Sequence, residues 1–290
     1  MLFSQNHINR IQDKFLPGLL RSRLSRAAKK SGLDKPTFLL SFDCDTYKDA
    51  RVVGDVHRKL MDIGITPIYA VPGEVLLEGA EVYEGVAESG AEFINHGHYK
   101  HSRLLDDGET YESWNFYDQI SRDEMEEDVL RGHETLTKFL GKEPKGFRSP
   151  HFGSFQKEEE LADLYRVLNT KNYEFSTSTV PVKALHNRAL YQASGLTEIP
   201  VGGGYDFPLT ILDSYSFRYS KTFKYGPPDY IHQIKRLGDW FLSEKKPYLL
   251  NLYADPSQVY DWPEFFDVMK RLAPFNVPSY EALLELVDVK

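Results

Sequence analysis

The sequence predicts one parallel α/β domain, built either as a barrel or as a doubly wound sheet. Three observations carry that expectation. Short apolar stretches alternate with amphipathic stretches along most of the chain. Several of the apolar stretches run into acids, histidines or an arginine, as parallel strands do when their carboxyl ends line a cleft. No internal repeat, low-complexity tract or linker divides the 290 residues, a length that fits one large domain with a sizeable core.

The elements follow in order. Residues 1–36 hold eight Lys or Arg against two Asp, a charge of +6 that leaves −14 on the rest. They read as a basic helical extension packed on the outside of the domain, with contact to an anionic membrane surface as the rival use. Residues 37–43 form a buried strand that ends in Asp43-Cys44-Asp45. A helix over 49–63 and a strand over 66–72 come next. A single helix over 74–89, closed by Gly90, leads to a third strand at 92–95. Residues 103–121 lack periodicity and are expected to be a long loop, a lid or a substrate wall. A helix over 123–140 precedes a short strand ending at Arg148. A helix over 158–169, strands at 173–176 and 197–201, and a helix over 230–243 follow. Residues 201–229 read as a surface excursion, 247–253 as the last strong strand, and 262–272 and 279–287 as closing helices.

Composition narrows the function. The charged fraction of 27% and hydrophobic fraction of 41% are those of a soluble globular protein. The acidic body argues against nucleic acid as a partner. With one cysteine, Cys44, there is no internal disulfide and no CxxC-type zinc site; alternation along the strand turns it away from the flanking acids, into the core. No signal-like or membrane-spanning apolar run is present, so a cytoplasmic location is expected. The 18 Tyr, 18 Phe and 3 Trp furnish aromatic walls for a sugar or another ring-bearing ligand, although core packing accounts for most of them.

The chemistry gathers at strand ends. Asp43 and Asp45 project two carboxylates into the expected cleft; the bland alternative is that Asp45 or Thr46 caps the next helix. His96, His98 and His101 crowd into six residues after the third strand, more than packing explains. Two imidazoles and one carboxylate make the three-protein-ligand set of a catalytic zinc site with an open position for water. Asp45 and two of these histidines would then hold the metal, leaving Asp43 as general base and Arg148 as its charge-assisted hydrogen-bond partner.

These motifs, in their order and spacing, resemble the polysaccharide deacetylase superfamily, the NodB-homology or carbohydrate esterase family 4 group. The resemblance covers residues 37 to about 285. Phe42-Asp43-Cys44-Asp45 is similar to the family's Asp-Asp motif with one residue inserted, Asn95-His96-Gly97-His98-Tyr99-Lys100-His101 to its metal-histidine motif, and Gly146-Phe147-Arg148-Ser149-Pro150 to its Arg-x-Pro motif. Leu196-Thr197-Glu198-Ile199-Pro200-Val201 is similar to a segment often seen late in these domains.

The resemblance implies a distorted (β/α)7–8 barrel of the NodB-homology type over 37–290. It implies a metal-dependent removal of an N-acetyl group from an amino sugar or glycan, with a metal-bound water as nucleophile. Asp43 is then the base, Asp45, His96 and His101 the ligands of a divalent ion, zinc above cobalt or nickel, and Pro150, His151 and Tyr253 are substrate-contact candidates. Two departures stand out. The family spaces its histidines i, i+4, whereas His96 and His101 are i, i+5 and His98 and His101 are i, i+3; His96 is preferred because it directly follows the strand. The family's late catalytic histidine is replaced by Asp255, which can serve as an acid only if burial raises its pKa; His151 is the substitute. The rivals are a carbohydrate-binding or inactive relative, a metal-free amidohydrolase, and, on the Asp-x-Asp alone, a glycosyltransferase or a dehalogenase-type phosphatase.

Overall fold

A computed structural model describes residues 11–105, 111–219 and 225–287. Its main sheet is a curled half-barrel with strand order β10-β1-β2-β3-β6-β7-β9-β8. The strands are β1 (Pro36–Asp43), β2 (Ile68–Val71), β3 (Phe93–Asn95), β6 (Gly146–Phe147), β7 (Phe175–Ser176), β8 (Tyr191–Ala193), β9 (Leu196–Glu198) and β10 (Tyr248–Ala254). Every neighbouring pair is parallel except β8 and β9. Among the described residues this half-barrel is left open between β8 and β10.

β1 is the central strand, paired on both sides and buried at all eight positions. Its alternation sorts the core into two layers. Phe38, Leu40, Phe42 and Cys44 pack with the outer helices, while Leu39 joins Ile68, Ala70, Ile94, Phe175 and Tyr280 in the barrel interior. Asp43 shares the inward parity of Leu39, and Cys44 falls on the outer layer, as alternation predicts. Asn251 laces the open side: its amide reaches the carbonyls of Ile199 and Pro200 at 3.2 Å each, and its own carbonyl accepts from Gly202 N at 2.7 Å.

Local signals explain where helices begin. Thr46 and Asp49 form a capping box that opens the helix Tyr47–Met61, and Ser121 and Glu124 form another that opens Arg122–Leu140. The latter ends at Gly141, which takes the left-handed conformation at φ 68°. The basic segment is the helix Pro17–Lys30, which lies against β10 and the helix Pro181–His186.

Three expectations are corrected. The helix over 74–89 is two helices, Gly73–Glu78 and Ala80–Glu88, because a Cβ at Gly79 would lie 2.7 Å from Ala50 Cβ; the close approach of Tyr47–Met61 breaks the run there. The loop at 103–121 contains a hairpin of β4 (Ser102–Leu104) and β5 (Tyr111–Ser113), with 106–110 outside the described residues. The span 201–229 is no surface excursion: it buries Phe207, Leu209, Leu212 and Phe217 and forms the helix Ser214–Tyr219, with 220–224 outside the described residues. Phe207, Phe217, Tyr225 and Tyr230 stack there with centroids about 5 to 6 Å apart, an apolar aromatic cluster that hydrophobicity averaged over a Gly- and Ser-rich segment conceals.

Candidate active site

The carboxyl ends of β1, β3, β6 and β10 converge. His96 follows β3, and its Nδ1 lies 2.7 Å from the Arg148 carbonyl, a contact that fixes the ring and leaves Nε2 facing inward. His96 Nε2 lies 3.3 Å from Asp45 Oδ1 and His101 Nδ1 lies 3.6 Å from the same oxygen. One ligand atom from each of Asp45, His96 and His101 falls within a 4.8 Å sphere of mutual distances. The two imidazole rings stand perpendicular, 4.7 Å apart.

The extra residue between the histidines is absorbed by a turn built on Asp128. Its Oδ1 accepts the backbone N–H groups of His98 and Tyr99 at 2.8 and 2.7 Å, and its Oδ2 accepts Tyr117 OH at 2.7 Å. Gly97 begins the turn at φ 80°, and a Cβ there would sit 2.3 Å from Asp128 Oδ2. His98 is turned away: its Nδ1 pairs with Thr135 Oγ1 at 3.1 Å on the helix Arg122–Leu140. The geometry therefore groups His96 with His101, and not with His98.

A divalent ion fits this set. Asp45 Oδ1 and both ring nitrogens of His101 are buried without a hydrogen-bond partner, and His101 is fully buried. These unpartnered atoms of Asp45 and His101, together with the inward-facing Nε2 of His96, offer one carboxylate and two imidazoles, the donor set of an open tetrahedral site. Burial opposes ionisation of Asp45, yet the imidazoles of His101 and His96 beside it hold its carboxyl well below the usual range. Burial likewise opposes protonation of His96, but the Asp43 and Asp45 charges override it and push its pKa up. Burial pushes His101 down, keeping it a neutral donor.

Beside this set, Arg148 Nη1 donates to Asp43 Oδ1 at 2.5 Å. Both side chains are buried, so the pair stands in a low-dielectric setting. Arg148 Nη2 also donates to Tyr280 OH at 2.8 Å, Tyr280 OH donates to Asn251 Oδ1 at 2.7 Å, and Asn251 Nδ2 donates to Thr177 Oγ1 at 2.9 Å. Tyr253 lies against the guanidinium, 5.3 Å from its carbon to the ring centroid. His151 takes φ 44°, stacks on Phe116 and places Nε2 at 3.0 and 2.9 Å from the carbonyls of His101 and Trp114. Pro150 is buried in the turn after Arg148.

Asp255 is partly buried. Burial, and then the charges of Asp49, Asp45, Asp43 and Asp213, raise its pKa well above the usual carboxylate value. Asp213 and Asp49 are themselves raised to about 6, chiefly by burial. Five carboxyl groups in one well make a field that favours a cation.

Sequence reasoning missed Asp128, Asp213, Asn251, Thr177 and Tyr280. Asn251 had a signal, being a polar residue inside an apolar strand. The others had none, since they arrive from distant helices and loops. From Asp45 a cleft of about 890 Å³ runs past Tyr47, Tyr99, Tyr111 and Trp114.

No family model matches the sequence, and no curated protein matches it. Solved structures do. A candidate polysaccharide deacetylase from Mycobacterium smegmatis superposes with a TM-score of 0.65 at 15% identity, covering 88% of this chain and 90% of that one. An allantoinase gives 0.56 at 11%, covering 89% and 87%. A carbohydrate esterase family 4 pseudoenzyme from Bacillus anthracis gives 0.51 at 11%, covering 87% and 66%. This chain is similar to each of them in fold, and the fold they share is the distorted (β/α) barrel of the polysaccharide deacetylases.

Proposed function

We propose that the protein is a metal-dependent hydrolase that removes an acyl group, by preference N-acetyl, from an amino sugar or glycan. The observation that carries this reading is the convergence of Asp45, His96 and His101, with unpartnered buried atoms on Asp45 and His101, beside the buried Asp43–Arg148 pair. Residues 37–290 form the catalytic unit and residues 1–36 its basic extension.

Asp45, His96 and His101 hold the ion, zinc in preference to cobalt or nickel. When bound, it supplies a Lewis acid that makes water a nucleophile near neutral pH and polarises the acyl carbonyl. Asp43 takes the proton of the attacking water, and Arg148, held by Tyr280 and Thr177, fixes the direction of its carboxylate. Asp255, whose pKa burial and the neighbouring carboxyl groups raise, returns a proton to the departing nitrogen, so that acid and free amine leave. The aromatic cleft offers faces for sugar rings: Tyr47 and Trp114 are each 52% exposed.

Elemental analysis of wild type, Asp45→Ala and His101→Ala tests the site first, followed by assay on acetylated amino sugars. The expected result is near-stoichiometric metal in the wild type alone, together with acetate release. Absence of metal after incubation with zinc would sink this reading. A second reading, a carbohydrate-binding protein on the same fold, is favoured by Asp255 in place of the histidine that the resembled family carries. Bound metal and sugar without acetate release would select it.

A further inference from the structure

Residues 11–30 carry a face that stands exposed among the described residues. The inner face of the helix Pro17–Lys30 buries Leu20, Leu24, Ala27 and Ala28. Two polar ties hold the segment to the body. Asp13 accepts from Leu209 N and Thr210 Oγ1 at 2.8 Å each, and the Arg21 guanidinium stacks on Tyr205, 3.7 Å from the ring centroid. The segment is thus a seated part of the molecule.

Its outer face has two parts. Residues 11–15 are helical and lead, past Leu16, into the helix from Pro17. Ile11, Phe15, Leu16 and Leu19 stand exposed there, Phe15 at 68%. Large apolar side chains grouped in this way are not left in water by chance. Around them Lys14, Arg23, Arg26, Lys29 and Lys30 are exposed, and none of these five is in a salt bridge among the described residues. Leu19, Arg23, Arg26 and Lys30 are spaced by four, three and four, which puts them on one helical stripe.

We propose that this face docks on an anionic lipid bilayer, with the four apolar side chains entering the headgroup region and the cations meeting lipid phosphates. The chemistry favours that occupant. Apolar anchors rimmed by Lys and Arg that are in no salt bridge among the described residues are what an interfacial helix needs, whereas a second copy of the chain would bring like charges together. The body carries −14 outside residues 1–36, so any other approach to an anionic surface is repelled. Beyond a screening length of about 8 Å that repulsion fades, which leaves the basic face as the one that docks.

The test is co-sedimentation of the full chain with vesicles of phosphatidylglycerol and phosphatidylcholine, against vesicles of phosphatidylcholine alone. Binding to the anionic vesicles only, weakened at high salt, is expected. A Phe15→Asp/Leu19→Asp variant and an Arg23→Glu/Arg26→Glu variant should each bind more than about tenfold more weakly, at roughly fivefold per cation lost. Circular dichroism and retained metal content show that the variants still fold. No binding to anionic vesicles at low salt would overturn the proposal, as would equal binding by both variants or indifference to lipid charge. A dimer on size exclusion that the Phe15→Asp/Leu19→Asp variant abolishes would give the face to a second copy and overturn it too.

Discussion

Asp255 shows how position changes what a carboxyl can do. On the sequence it is an ordinary acid at the end of a strand; in the fold it sits among four other carboxyl groups, and burial with their charge raises its pKa. A group that donates a proton must hold it, so activity depending on Asp255 falls as pH rises through that raised pKa. Asp255→Asn is expected to cut kcat by about 10² to 10⁴ with little change in KM, and to remove this basic limb from the pH profile. Unchanged turnover would transfer the acid role to His151. Cys44 is the contrasting case: strand alternation alone placed it in the core, where it is fully buried.

At the scale of elements, the turn that follows β3 decides which histidines meet. Asp128, nearly two turns into the helix Arg122–Leu140, accepts two backbone N–H groups of the turn after β3 and a tyrosine hydroxyl. Asp128→Ala leaves these donors without their acceptor and is expected to weaken metal affinity about 10- to 100-fold by titration calorimetry; Asp128→Asn, which keeps an acceptor, should recover most of it. Equal affinity in the alanine variant would show that the turn holds without Asp128.

The last helix gives a different test. Glu92 accepts the N–H groups of Tyr280 and Glu281 at 2.7 and 3.2 Å, and burial outweighs those bonds to raise its pKa from 4.5 to about 7. A carboxyl raised on folding stabilises the protein below its unfolded pKa, and that contribution is lost as pH rises through the folded value. Urea titrations should therefore show the wild type losing stability relative to Glu92→Gln between pH 4.5 and about 7. Parallel curves would contradict the assignment.

For the whole molecule, the site ties β1 to the turn after β3, and the half-barrel is held across its open side by Asn251. An ion that binds the folded state alone stabilises it by about 2.7 kcal/mol at a hundredfold excess over Kd. In a chain of this size that corresponds to a rise of roughly 5 °C in the thermal midpoint when zinc is added to chelator-treated protein. His101→Ala should show no such rise; a rise in both would place the ion elsewhere.

Residues 37–45 by themselves determined a buried strand ending in two acids, because an apolar run and a period of two are local properties. The alternation of elements determined the α/β class and left barrel and doubly wound sheet open; the family resemblance carried by the Asp, His and Arg motifs implied the barrel and a metal-hydrolase site. Thr46 was legible as a cap, and the structure makes it one without displacing Asp45 from the cleft. Other features were decided by contacts between segments far apart in the chain. The break at Gly79 depends on Ala50, the pairing of His96 with His101 on Asp128, the seating of Arg148 on Tyr280, and the approach of Asp213 on an aromatic cluster inside a polar-looking segment. No local pattern encodes these contacts: their partners are brought together only when the sheet curls and burial sets which polar groups must find one another.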